Sequence, residues 1–149
     1  MPVRFRNVDA SPSDDVRTWP YEALVICIDR GLVPDWRPIF AEIRRAPWGR
    51  LARRVERILD SREYDGATAL FRLAIDRARE RQDRADRDEV AARVRNAVAR
   101  SGLTSARFAE RIGTSASRLS TYMGGTVTPS AALLLRIERC ASGDQVESE

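Results

Sequence analysis

Histidine and lysine are both missing from the 149 residues, and cysteine occurs only at Cys27 and Cys140. Without histidine the chain lacks the commonest general base and metal ligand. Two cysteines so far apart do not make a zinc site of the usual kind. No phosphate-cradling glycine loop, nucleophile elbow or Ser–Lys pairing is present, and the carboxylates lie on arginine-laced segments. The sequence therefore predicts no enzyme, and neither a cofactor nor a metal. It also lacks any run of about 18 apolar residues that could span a membrane. The stretch MPVRFRNVDASPSDD has no apolar signal-peptide core, so a cytoplasmic location is expected. There Cys27, within LVICI, and Cys140, on the apolar side of the last helix, are expected to be reduced core residues.

All 26 basic residues are arginine, against 22 acids, for a net charge of +4. Arginine-only usage fits a GC-rich genome, yet it has a physical consequence: the planar guanidinium fork suits bidentate phosphate contacts better than an ammonium does. The charge is uneven. Residues 89–140 hold 8 Arg and 3 acids, residues 1–88 hold 18 Arg and 16 acids, and the tail 141–149 holds 3 acids alone. An arginine excess in one segment is the footprint expected of a nucleic-acid binder.

No strand pattern, internal repeat or low-complexity tract is visible, and the expected fold class is all-α. Residues 1–18, with Pro2, Ser11, Pro12 and Ser13, read as a mobile lead-in. Residues 19–81 read as a small helical domain. Its first helix enters at Pro20 and exits at Gly31. A second helix is capped by Asp35 and ends before Pro47, and a third carries Leu51, Val55, Ile58 and Leu59 on one stripe. A fourth runs from about Ala67 to Arg81 with Leu70, Phe71, Ala74 and Ile75 inward. Trp19, Trp36 and Trp48 are expected as core or domain-interface anchors, with a partner-binding surface as the alternative. Residues 82–88, of alternating charge, fit either a hinge or a solvated continuous helix. Residues 142–149 read as an acidic tail.

The most informative stretch is Ser105–Gly124, SARFAERIGTSASRLSTYMG. It has the spacing of a helix-turn-helix: Ala109 is small where two helices cross, and Gly113 lets the chain turn between them. Phe108, Ile112, Leu119 and Tyr122 fall at the inward positions. From about Val90 to Ala141 the chain resembles the phage-repressor-like family (Cro/cI-type, lambda-repressor-like, XRE). The landmarks are DEVAARVRNAVARSG, LTSARFAERIG, TSASRLSTYMGG, the exit loop TVTPS and SAALLLRIERCA. Gly102-Leu103 and Pro129-Ser130 stand where the family usually has Gly-Leu and Pro-Ser. Thr128 is expected to cap the last helix, with Pro129 in its first position. The family often buries an Arg against a Glu at the positions held here by Val98 and Met123. Losing one partner would strand a charge, whereas replacing both by apolar groups is often neutral.

The resemblance implies a lambda-repressor-like domain over 89–141, preceded by the helical domain. It further implies a sequence-specific transcriptional regulator, in the expected case a repressor, that binds double-stranded DNA as a homodimer on near-palindromic operators. Carried over by position, Ser115, Ala116, Ser117 and Thr121 face the bases, and Arg118 reaches a phosphate or a base edge. Thr104 and Ser105 would hold a backbone phosphate, as would Thr126 and Thr128 in the exit loop. Arg107 and Arg111 would steer DNA or stand as exposed charges. Three other readings remain open: an antitoxin whose toxin binds the N-terminal domain, a helix-turn-helix used for protein interaction, and a sequence-independent nucleoid protein.

Overall fold

The computed structural model describes residues 2–143. Seven α-helices and one 3-10 turn at Val16–Thr18 make up the regular structure, with no strand among the described residues. The helices are α1 (Tyr21–Arg30), α2 (Val33–Arg45), α3 (Arg50–Asp60), α4 (Gly66–Ser101), α5 (Ser105–Ile112), α6 (Ala116–Met123) and α7 (Ala131–Ser142). The chain divides into two compact units, Met1–Gln82 and Asp83–Glu149. Residues 82–88 are helical throughout, as part of α4. Most of the acidic tail expected at 142–149 lies outside the described residues.

In the first unit, α1, α2 and α3 pack on one another and on the first turns of α4. Trp19, Leu24, Ile28, Ile39, Ile43, Ile58, Phe71 and Ile75 are almost wholly buried. Phe71 stacks edge-on to Trp36 at 5.2 Å and lies 4.8 Å from Phe40, ring centre to ring centre. Such aromatic pairs add to the gain from area burial alone. The indole Nε1 of Trp36 donates to the Cys27 carbonyl at 2.8 Å, and so does the Gly31 amide. One buried oxygen thereby ties the end of α1 to α2. Burial pushes the Cys27 thiol up to about 12, with the nearby Asp35 charge adding to it.

Four expectations change here. Asp35 is not the N-cap of α2, because the helix begins at Val33 and is capped at Leu32. It stands at the third position and reaches back, accepting from the Leu32 amide at 2.8 Å and the Val3 amide at 3.1 Å. Those two amides, Leu32 first, hold its carboxyl below the usual aspartate range. The lead-in segment also packs: Val3, Phe5, Val8 and Ala10 lie against the core, and Phe5 meets Trp19 edge-on at 5.0 Å. Leu70 is 38% exposed, since the buried stripe of α4 runs through Thr68, Phe71, Ile75 and Ala78, and Leu70 is a helical step away from it. Trp48 is 47% exposed in the turn after Pro47, unlike Trp19 and Trp36.

Gly31 and Gly66 offer a contrast. A methyl on Gly31 would overlap the Cys27 carbonyl and press on Trp36 Nε1 at 3.1 Å, whereas one on Gly66 meets nothing within 4 Å. Gly31→Ala should destabilise the first unit by about 1–3 kcal/mol. Gly66→Ala should stabilise it by about 0.4–1 kcal/mol, through the unfolded chain. Urea titration followed by tryptophan fluorescence tests both, because all three tryptophans lie in this unit. Equal midpoints for the two variants would contradict the packing described.

Candidate nucleic-acid interface

The second unit closes around Val94, Ala97, Val98, Phe108, Ala109, Ile112, Leu119, Tyr122, Ile137 and Cys140. The turn between α5 and α6 depends on Gly113, whose φ of 77° is left-handed, a conformation that strains any residue with a Cβ. The Thr114 amide bonds the Ala109 carbonyl at 2.9 Å across it, a Schellman closure. From α7, Arg136 Nη1 donates to the Ile112 carbonyl at 3.0 Å. The Arg136 bond satisfies a carbonyl that the end of α5 would otherwise leave without a partner.

Both helices start on a hydroxyl. Thr104 Oγ1 accepts from the Arg107 amide at 3.2 Å at the head of α5, and Ser115 Oγ accepts from the Arg118 amide at 3.1 Å at the head of α6. Ser115 is thus the cap of α6, and Ser105 is the first residue of α5. At the far end of α6 the Thr126 and Val127 amides both reach the Thr121 carbonyl, at 3.1 and 3.3 Å. Arg95 Nη1 donates to the Met123 carbonyl at 2.6 Å. The last helix is capped by Ser130, which accepts from the Leu133 amide at 3.2 Å, and not by Thr128. Pro129 therefore precedes the cap, where it is buried, and does not open the helix.

The exposed side of α6 is small and polar. Leu119 and Tyr122 point into the core, while Ala116, Ser117, Arg118 and Ser120 are exposed and Thr121 is half-buried. At about 100° per residue, Ser117 sits at the centre of the outward face, with Ser120 and Thr121 beside it. Ala116 and Arg118 flank that face. Ser120, not among the expected base-facing residues, is put outside by the same helical period that buries Leu119. Thr121 Oγ1 donates to the Arg118 carbonyl at 2.6 Å. Thr104, Ser105, Thr126 and Thr128 are exposed at the helix entrance and the exit loop. Arg107 and Arg111 are likewise exposed on α5. Among the described residues no three of the types His, Cys, Asp and Glu come together as a metal site would require, and no helix is long and apolar enough to cross a membrane.

Val98 and Met123 belong to one apolar cluster, Val98 buried and Met123 partly so. Val98→Arg alone places an unpaired charge there and should cost about 3–5 kcal/mol. Adding Met123→Glu should return part of that loss, as a double-mutant cycle in thermal or urea unfolding would record. Strictly additive losses would show that the two positions do not face each other.

Residues 89–146 match a family model described as a helix-turn-helix domain. Neither the curated proteins nor the solved structures contain a match to the chain. The C-terminal part of this all-helical protein is thus a helix-turn-helix domain, the kind of domain that binds DNA, and the match is consistent with the Cro/cI-type resemblance.

Proposed function

We propose that this protein is a sequence-specific transcriptional regulator, and in the first instance a repressor, that binds operator DNA through α6. The observation that carries the reading is the match of residues 89–146 to a helix-turn-helix domain. What supports α6 as the reading helix is its firmly held backbone beneath a bare outward face of Ser117, Ser120 and Thr121. Helix-turn-helix proteins lay that second helix in the major groove. Ser115, Ala116 and Arg118 complete the groove-facing set. Arg118, at the flank, has the fork and reach for a phosphate. The Thr104 and Ser105 hydroxyls, with Thr126 and Thr128 in the exit loop, serve as phosphate contacts that fix register and carry no sequence information. In this reading the protein acts as a homodimer on half-sites about one helical turn apart, as helix-turn-helix dimers do.

A second reading is favoured by one observation: Leu70 of α4, 38% exposed, lines one surface groove with the half-buried Phe40 of α2. Such a surface fits a protein partner, as in an antitoxin that neutralises its toxin through residues 19–81 and represses its own operon. Growth rescue on co-expression with a toxin encoded next door would decide for it.

The regulator reading is tested by titrating the protein against its own upstream region and an unrelated duplex across a salt series. Affinity for the first should exceed that for the second by at least about a thousandfold, the lower end for specific binders. Equal affinity for both would leave a nucleoid-type binder, and binding to neither would leave a protein-interaction module. Arg118→Ala should weaken binding to every duplex alike and lower the salt slope by about one. Unchanged affinity on all sequences would remove Arg118 from the interface.

A further inference from the structure

The first unit carries 16 arginines and 13 acids over residues 1–82, so its net charge is small. Its cations are nevertheless gathered. Arg50, Arg53, Arg54 and Arg57 stand within two turns of α3 and alone line a surface groove of about 350 Å³. Arg54 is held by its Nη1, which donates to the Trp19 carbonyl at 3.0 Å. Arg50, Arg53 and Arg57 are exposed, and no carboxylate among the described residues pairs with any of them. The nearest acids are committed elsewhere: Glu56 grips Arg79 at 2.5 and 3.1 Å, Glu42 pairs with Arg45 at 2.6 Å, and Asp60 pairs with Arg72 at 2.8 Å. Like charges three and four residues apart oppose a helix. This helix tolerates four such pairings, with its own acids Glu56 and Asp60 taken by Arg79 and Arg72, because its opposite face is well buried at Leu51, Ala52, Val55, Ile58 and Leu59.

We propose that this arginine face of α3 is a second, sequence-independent contact for the phosphate backbone of duplex DNA, separate from the helix-turn-helix. A protein partner fits less well, since interfaces between proteins centre on apolar anchors and this groove is lined by arginine alone. Phosphate diesters suit it, because the guanidinium fork takes two oxygens at once. From Arg50 to Arg57 the helix rises about 10 Å. Over that length one DNA strand presents roughly three phosphates, spaced about 3.4 Å along the axis. The proposal leans on the DNA-binding reading above only for the choice of polyanion.

The test uses the full chain and fluorescence anisotropy on a short duplex of scrambled sequence, over a range of salt. The variant R50Q/R53Q/R57Q keeps Arg54 and its bond to Trp19, and circular dichroism checks that the helices remain. Neutralising three phosphate contacts should lower the slope of log affinity against log salt by about 2 to 3, and R53Q/R57Q should fall between. A second background, Ser117→Glu, sets a negative charge at the centre of the α6 face and disables groove docking. In that background residual duplex binding should survive and should vanish when R50Q/R53Q/R57Q is added. An unchanged slope in the triple variant, or no residual binding in Ser117→Glu, would overturn the α3 proposal while leaving α6 recognition standing. Sequence-blind binding that still depends on the three arginines would uphold the α3 face and sink the operator reading. No duplex binding by the wild-type chain even at low salt would sink both. Displacement of DNA by polyglutamate at equal charge as effectively as by unlabelled duplex would reassign the face to acidic protein.

Discussion

The backbone of Gly113, held at a left-handed φ, is the constraint on which the second unit depends. It turns the chain sharply enough for Phe108 and Ile112 on one side and Leu119 and Tyr122 on the other to enter the same core. The sharp turn would be costly if it left helix-end carbonyls bare, so the same few residues settle that account. The Thr114 amide and the Arg136 guanidinium take two of those carbonyls, and Arg136 comes from α7, the helix that also supplies Ile137 to the core. Because the end groups of α6 are met by Ser115, the exit loop and Arg95, its outward side chains are not needed to hold the fold. Small polar residues can therefore occupy that face, and substitutions there change what it meets more than whether it folds.

The first unit solves a different problem with the same chemistry. Some of its arginines are bound into ion pairs, as with Glu42, Glu56 and Asp60, and four stand together on α3. Surface ion pairs of this kind contribute little to stability, on the order of 0–1 kcal/mol each. The apolar stripe of α3 and the aromatic group of Trp36, Phe40 and Phe71 hold the unit together instead. Charge on this surface is free to serve binding, since folding does not rely on it.

Legibility followed the strength of local signals. The turn at Gly113 and the inward set Phe108, Ala109, Ile112, Leu119 and Tyr122 could be read directly, because helical period and glycine chemistry act over a few residues. The caps were harder. Thr128 and Ser130 are both good capping residues two positions apart, and which one begins α7 depends on where buried Pro129 packs. Asp35 carries a helix-start signal, but it acts from the third position of α2 instead of capping it, and one of its partners is Val3, distant in sequence. Val3, Phe5 and Val8 gave no helical or strand period at all, so only tertiary contact reveals them as part of the core. Leu70, a helical step from the buried stripe, and Trp48, in a turn between helices, show that size and apolarity do not guarantee burial. The arginine face of α3 was visible in the sequence as polar spacing, but its lack of counter-charges is a fact of three dimensions.

Residues 81–89 of α4 are exposed on every side, unlike the turns before and after them. A helix of so few residues does not persist in water on its own, so this stretch is helical because the packed turns at Ile75 and Ala78 and at Ala91 and Val94 start it from both ends. Its amides can open singly, without either core giving way, as in the boundary between two cooperative foldons. In hydrogen exchange the chain is then two protected blocks joined by a helical stretch that exchanges early, and faster still when salt screens the alternating charges along it.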